Sequence, residues 1–400
     1  MEVLRDHAPA LALGRVGRGS EPTQEERVLQ RLVVCRTLGL GGQVVRCPGC
    51  GDSALLPHAC RDRHCPTCPS VRQWRWLEQR KRRALDVPHF HSVFTVAPEL
   101  RPLIQENPRR LYAALMAAAA TTVRWACRRS IGEARVAFTS VLHTWSRSLE
   151  YHPHVHVLLA AGGLAPDGSR WVVPERRALL PADDEVRARF RDTLLRRIRR
   201  ARARGRLRLP PGWGEERLAL ALARAASRRW YVYSKRTVRS DEAYEYLARY
   251  TCRVGLTAAR LLAYDGRTVK LATRGGALEL PGQELVRRFL LHVLPRGFTR
   301  IRYHGLFVSR HAANHALARR RIAEQGLGCG FAAALEGRDE GEAGAVTDSW
   351  QEVCARNGHA VERCHLCDGV LEYTSFPPSP QLTARYRAAL LARALARGPP

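Results

Sequence analysis

Two hydrophobic periods alternate along this chain, and together they predict a mixed fold. Pro88 to Val96 (Pro-His-Phe-His-Ser-Val-Phe-Thr-Val) alternates apolar and polar positions as a half-buried strand does, and Pro98 ends it. Pro108 to Arg129 is Ala-rich and helical. Arg135 to His143 reads as a strand with His154 to Leu159 as its hairpin partner, closed by Gly162-Gly163. Ala182 to Arg229 is helical, broken at Pro210-Pro211-Gly212, and Trp230 to Ser234 is a short aromatic strand. Ser240 then offers an N-cap, with Asp241 and Glu242 in the first turn of a helix that should end near Gly255. Leu261 to Leu280 predicts a β-hairpin turning at Asp265-Gly266 as a type I′ pair, and Gln283 to Leu294 another helix.

The ends read differently. Residues 1–30 form a polar lead-in, a cysteine-rich stretch follows over 31–72, and Val71 to Leu85 is a basic helix carrying Trp74 and Trp76. From about 335 the chain is acidic and Gly-rich, then reaches a second cysteine cluster and an Ala/Arg helix. The expected organisation is α+β: a lead-in (1–30), a zinc-ribbon-like DNA-binding module (31–85), a catalytic domain (86–330) with an Arg-rich helical insertion (182–229), and a cysteine-containing tail (331–400).

Charge then narrows the partners. The 66 basic residues exceed the 37 acidic ones, giving a net charge of +29, a field that attracts polyanions and releases their counterions. Nearly all the basic residues are Arg, only Lys81, Lys235 and Lys270 being lysines; GC-rich codon usage explains that choice but not the excess over acids. Nucleic acid is the expected partner, with Arg191 to Arg208 and Arg72 to Arg83 as contact surfaces and Trp74 or Trp76 for stacking on bases. No apolar run is long enough to span a membrane and the first residues lack a secretion signal, so the expected location is the cytoplasm of a bacterium, on the nucleoid when DNA-bound. No GxxxxGK[ST] loop is present, so no nucleotide cofactor is expected.

Of the twelve cysteines, nine cluster near the two ends, and paired knuckles in a chain without a secretion signal point to structural zinc. Cys47-Pro-Gly-Cys50 and Cys65-Pro-Thr-Cys68 give C-x2-C-x14-C-x2-C, the expected four-thiolate site, with Cys60 and His64 as alternates and Cys35 and His58 as further donors. Cys364-His-Leu-Cys367 is a single knuckle; Cys354 and His359 are its candidate partners for a second zinc.

Two short pieces carry the chemistry. In Tyr151-His-Pro-His-Val-His-Val-Leu-Leu159, alternate side chains share a face, so His154 and His156 point together while Val155, Val157 and Leu159 point to a core. In Tyr246-Leu-Ala-Arg-Tyr250 the tyrosines lie one helical turn apart. A paired imidazole platform can hold a divalent metal, and a tyrosine hydroxyl can attack a phosphate that the metal polarises. A third metal donor is expected: Glu242 first, one turn before Tyr246, with His143 and His152 as alternatives. Lys235 is a candidate phosphate contact.

Taken in order, these blocks resemble the rolling-circle insertion-sequence transposases, two-tyrosine members of the His-hydrophobic-His (HUH) endonuclease superfamily. The likeness runs from about residue 30 to 315. It includes Cys60-Arg-Asp-Arg-His-Cys-Pro-Thr-Cys68, His89-Phe-His-Ser-Val-Phe-Thr-Val96, His143-Thr-Trp145, His152-Pro-His-Val-His156, Tyr246 to Thr251, and a block from Leu291 to Gly305 whose role is not derivable from the residues. The resemblance implies a central antiparallel sheet flanked by helices, with the histidines on a central strand and the tyrosine helix beside them. It implies cleavage and rejoining of single-stranded ends of a mobile element through a 5′-phosphotyrosine, with Mg²⁺ or Mn²⁺ as catalytic ion. A replication initiator or relaxase with the same chemistry is the alternative, and a non-catalytic zinc-containing nucleic-acid-binding protein a second. Oligomeric state is not legible.

Overall fold

A computed structural model describes residues 2–13, 21–68, 70–174, 183–237, 255–257, 260–273, 275–329 and 361–378. Its strands are β1 (Gly42–Arg46), β2 (Ser53–Pro57), β3 (His89–Thr95), β4 (Ala137–Trp145), β5 (Tyr151–Ala160), β6 (Gly163–Leu164), β7 (Trp171–Val172), β8 (Tyr231–Thr237), β9 (Leu261–Tyr264), β10 (Thr268–Thr273), β11 (Gly276–Pro281), β12 (Ile301–Gly305) and β13 (Glu372–Phe376). The chain divides into two units, one of residues 1–72, 256–287 and 344–400, the other of 73–255 and 288–343. The division differs from the linear one expected, because the described part of the tail belongs with the N-terminal module.

In the second unit, β3, β4, β5, β8 and β12 form an antiparallel sheet in the order β12-β4-β5-β3-β8, with β5 at its centre. Strand alternation gives the sheet two unlike faces. Phe90, Phe94, Phe138, Leu142, Val155, Val157, Leu159 and Val232 are buried in one apolar core with residues of the helices Pro108–Ile131 and Asp184–Ala203. Phe94 meets Phe190 edge-on at 5.0 Å between ring centroids. Each such ring, fully buried, contributes about 1.5–3 kcal/mol. The opposite face carries the histidines. The expected central antiparallel sheet flanked by helices is therefore present, and the Pro-Gly break falls between the helices Asp184–Ala203 and Glu215–Ser227.

The block from Leu291 to Gly305 gains a structural role. Its end forms β12, which pairs with β4. His292, 1% exposed, contacts Thr144 Oγ1 through Nδ1 at 3.3 Å and the Leu149 carbonyl through Nε2 at 3.0 Å. It thus ties the β4–β5 hairpin, where Leu149 sits at φ 59°, to the sheet edge. Trp76 is half-buried and donates from Nε1 to Tyr303 Oη at 2.9 Å. It packs inside this unit rather than standing free to stack on a base; nothing is described of the Trp74 side chain.

In the first unit, β1 lies between β2 and β13 in an antiparallel sheet. Residues 1–30, expected as a polar lead-in, instead contain the helix Glu2–Leu13 and the start of the helix Gln24–Val33. The second is capped by a Thr23/Glu26 capping box and buries Val28, Leu29 and Leu32. The expected single hairpin from 261 to 280 is a three-stranded meander, β9-β10-β11. Its first turn falls one residue later than expected, on Gly266-Arg267, because the Asp265 carboxylate accepts from the Arg267 and Thr268 amides. Gly266, at φ 90°, takes the first central position.

Candidate active site and cysteine clusters

β5 presents His154 and His156 on the polar face of the sheet, and antiparallel register brings their neighbours to them. His143 on β4 stands opposite His154, and Val93 on β3 opposite His156. The nitrogens of His143, His154 and His156 come within 4.8 Å of one another. Ring centroids lie 4.2 Å apart for His143 and His156, 4.9 Å for His154 and His156, and 5.4 Å for His143 and His154. Burial holds all three imidazoles neutral: His154 is lowered to about 4, and His143 and His156 well below their ordinary range.

Hydrogen bonding then decides which nitrogens face the centre. His154 Nδ1 donates to the His152 carbonyl at 2.6 Å, leaving Nε2 as a lone pair. His156 Nδ1 lies 2.8 Å from His91 Nε2, which occupies its outer nitrogen in the same way. His143 Nε2 is buried with no hydrogen-bond partner among the described residues. An orphaned imidazole nitrogen beside two others whose outer nitrogens are engaged fits a divalent ion, since ligating histidines use one ring nitrogen and anchor the other. Among the three expected third ligands, His143 is in the cluster. His152 is not: its Nδ1 accepts from Arg101 at 2.7 Å. Glu242 lies outside the described residues, as do Tyr246 and Tyr250. His91 was missed as a site residue, although His89-Phe-His91 already showed the alternation that places it on a strand face.

Both flanks of the tyrosine segment are placed on this unit. Edge strand β8 carries Lys235, exposed and in register with His91, and ends at Thr237. At the other flank, Gly255 runs against the Trp145 indole, where an added Cβ would stand 2.1 Å from Cδ1. Trp145 in turn stacks on His143 at 4.6 Å.

A basic groove lies on the helical side of the sheet. Arg110, Arg196, Arg197, Arg200, Arg204, Arg206 and Arg302 line a volume of about 860 Å³ there. It takes up much of the arginine-rich stretch expected to meet nucleic acid.

The cysteines are grouped otherwise than their spacing suggested. Cys35, Cys60, Cys65 and Cys68 converge on one point, and Cys47, Cys50, Cys364 and Cys367 on another. The expected set Cys47, Cys50, Cys65 and Cys68 is not brought together, and β1 and β2 explain why. Cys47 and Cys50 form the turn between these strands, whereas Cys60 follows the end of β2. Five residues of strand hold those two ends roughly 15 Å apart. His64, the other alternate, bonds Asp62 through Nδ1 at 2.9 Å and stays out of the cluster. Cys354 and His359 lie outside the described residues.

In the Cys35 cluster, Sγ–Sγ separations are 3.3 Å to Cys68 and 3.7 Å to Cys65, with 3.6 Å between Cys60 and Cys68. Four thiolates about 2.3 Å from one zinc stand about 3.8 Å apart, so the set fits zinc. Cys65 is lowered to about 4, chiefly because the Cys60 thiol donates to it, while Cys60 is raised.

Comparison with known proteins agrees with these features. Residues 4–96 match a family model described as "Transposase zinc-binding domain", and residues 137–315 one described as "Putative transposase". "Putative transposase y4qJ" of Sinorhizobium fredii (strain NBRC 101917 / NGR234) is 33% identical over 88% of this chain and 89% of its own length. The transposase for insertion sequence element IS801 of Pseudomonas savastanoi pv. phaseolicola is 29% identical over 72% of this chain and 71% of its own. The chain belongs to the IS91 family of rolling-circle insertion-sequence transposases, with the family's zinc-binding domain at its N-terminal end. Among solved structures it is similar to a conjugative relaxase, TrwC, in complex with oriT DNA, at 14% identity over 52% of this chain and 86% of that one, with a TM-score of 0.25. A metal-free structure of the same complex gives 16% identity, 40% and 71% coverage and a TM-score of 0.23. Likenesses that distant say nothing further about this chain. Among the described residues, no helix is long and apolar enough to cross a membrane.

Proposed function

We propose that this transposase is an HUH endonuclease that cuts and rejoins single-stranded DNA at the ends of its insertion sequence through a 5′-phosphotyrosine. The observation that carries the proposal is the cluster of His143, His154 and His156, with an Nε2 on His143 that has no hydrogen-bond partner among the described residues. These three residues would hold the ion, Mg²⁺ or Mn²⁺, and the ion when bound would polarise a non-bridging oxygen of the scissile phosphate. His91 and the His152 carbonyl fix the orientation of two of the rings.

Tyr250, with Tyr246 as the second nucleophile, supplies the attacking hydroxyl. A bond forms between the tyrosine oxygen and phosphorus, the bond from phosphorus to the 3′-oxygen breaks, and the proton lost by tyrosine is matched by one gained at the 3′-hydroxyl. The energy of the cut bond stays in the new ester, so rejoining needs no nucleotide. The anchoring of Thr237 and Gly255 on the sheet supports placing the tyrosines beside the histidines, and Lys235, in register with His91, would contact the phosphate. The arginine groove on the helical side would track the backbone of the bound strand.

The test is incubation of the full chain with a labelled pool of single-stranded oligonucleotides and Mn²⁺. The proposal expects 5′ fragments ending in a free 3′-hydroxyl, 3′ fragments that stay with the protein in detergent, and loss of both in His154→Ala. Fragments free of protein, or cleavage unchanged in His154→Ala, would overturn it.

A further inference from the structure

The second cysteine cluster joins residues more than three hundred positions apart. Cys47 Sγ lies 3.4 Å from Cys367 Sγ, and Cys50 Sγ 3.7 Å from Cys364 Sγ, close to the edges of a zinc-thiolate tetrahedron. The first pair lies inside the matched zinc-binding domain, residues 4–96; the second lies far outside both matched regions.

The two knuckles have the same local structure. In Cys47-Pro-Gly-Cys50-Gly-Asp52, the Cys47 amide donates to the Asp52 carbonyl and the Gly51 amide to the Cys47 carbonyl. In Cys364-His-Leu-Cys367-Asp-Gly369, the Cys364 amide donates to the Gly369 carbonyl and the Asp368 amide to the Cys364 carbonyl. The residue after the second cysteine is left-handed in each, Gly51 at φ 74° and Asp368 at φ 58°. Asp368 is one of the few residue types other than glycine that enter this region readily. Two such knuckles facing each other direct four thiols at one point.

The strands agree with the knuckles. β13 pairs with β1 over five residues, from Gly42 opposite Phe376 to Arg46 opposite Glu372. The N-terminal side is shaped to receive it: an added Cβ on Gly41 would stand 2.6 Å from the Phe376 carbonyl oxygen, and one on Gly42 2.7 Å from the Phe376 ring. Tyr373 Oη also donates to the Val361 carbonyl, holding the C-terminal segment on itself.

We infer that Cys47, Cys50, Cys364 and Cys367 form a second structural zinc site, through which the C-terminal segment completes the N-terminal zinc ribbon. Until residues 364–367 are present, Cys47 and Cys50 hold only half a site. The full module is therefore assembled only by a chain that extends through its C-terminal knuckle.

Zinc counting on the full-length protein, combined with mass-spectrometric mapping of cysteines protected from alkylation, tests this. Two zinc ions per chain are expected, with protection of Cys47, Cys50, Cys364 and Cys367 as well as the Cys35 set. The double variant Cys364→Ser, Cys367→Ser should fall from two ions to one, expose Cys47 and Cys50, and keep Cys35, Cys60, Cys65 and Cys68 protected. Graded chelation of the unmodified protein gives a reading independent of how the variant folds. Cys47, Cys50, Cys364 and Cys367 should become reactive in one step. One zinc per chain, alkylation of Cys364 and Cys367 before any chelator, or release of Cys47 and Cys50 in step with Cys65 and Cys68 would overturn the inference.

Discussion

His91→Ala isolates the part of the metal site that depends on ring orientation. His91 Nε2 sits 2.8 Å from His156 Nδ1, and the two rings stack at 5.1 Å with 8° between their planes. Both are held neutral by burial, His91 at about 4. Removing the His91 ring leaves the outer nitrogen of a side chain that is 7% exposed without that partner. An unsatisfied buried polar group costs about 1–3 kcal/mol. Loss of an outer partner of a metal-bound histidine weakens binding by about 10–100-fold, the same range when each tenfold is about 1.4 kcal/mol. Titration of nicking with Mn²⁺ should therefore show the half-saturating concentration raised about 10–100-fold, with the rate at saturation within a few-fold of normal. Calorimetry without DNA should give the same shift in affinity. His91→Gln, which keeps an amide able to bond Nδ1, should recover most of it. An unchanged Mn²⁺ requirement with a rate depressed at every concentration would refute the reasoning, because His91 would then act on the chemistry or the fold and not through His156.

Other perturbations reach different parts of the account. Gly255→Ala drives a methyl into the Trp145 indole that stacks on His143, an overpacking of about 1–3 kcal/mol; nicking should fall at least tenfold while zinc content is unchanged, as metal analysis and a cleavage assay would show. Burial lowers His89, His292 and His304 to about 4 each, so below the ordinary value of 6.5 the unfolded chain binds more protons than the folded one. Stability should be full above pH 6.5 and lost as pH falls toward 4, by up to about 1.4 kcal/mol per pH unit for each histidine, which denaturant melts at several pH values would record. Charge reversal of Arg196, Arg200 and Arg204 to Glu should weaken single-strand binding and reduce its salt slope by about two to three units, read by fluorescence anisotropy across salt concentrations.

The sheet was legible because strand alternation and burial coincide on β3 and at the start of β5, although β4 is buried along its whole length; Val155, Val157 and Leu159 are fully buried while His154 and His156 face the site. Non-local pairing was legible only in part. β4 pairs with β5 as the expected hairpin and brings His143, named as an alternative ligand, to the site. His91 reaches it only because β3 flanks β5 on the other side, a non-local fact that no local period encodes. The zinc ligands fail for the same reason. Spacing joined the knuckles nearest in sequence, but the β1–β2 hairpin separates Cys47 and Cys50 from Cys65 and Cys68, and the knuckle that converges with them comes from the far end of the chain, just before β13. The helix Gln24–Val33, by contrast, was announced locally by Thr23-Gln-Glu-Glu26 ahead of Val28, Leu29 and Leu32, a capping signal masked by the polar composition around it.

The central claim is covalent chemistry at a tyrosine served by His143, His154 and His156, and mapping the protein–DNA adduct tests it most directly. Single-stranded DNA and Mn²⁺ are incubated with the protein, both polymers are digested, and the modified peptide is sequenced by mass spectrometry. The account predicts a 5′-phosphonucleotide on Tyr250 or Tyr246, absent from His143→Ala and from the double Tyr246→Phe, Tyr250→Phe protein. An adduct that survives in the double variant, or that maps to Tyr244 or another residue, would contradict it.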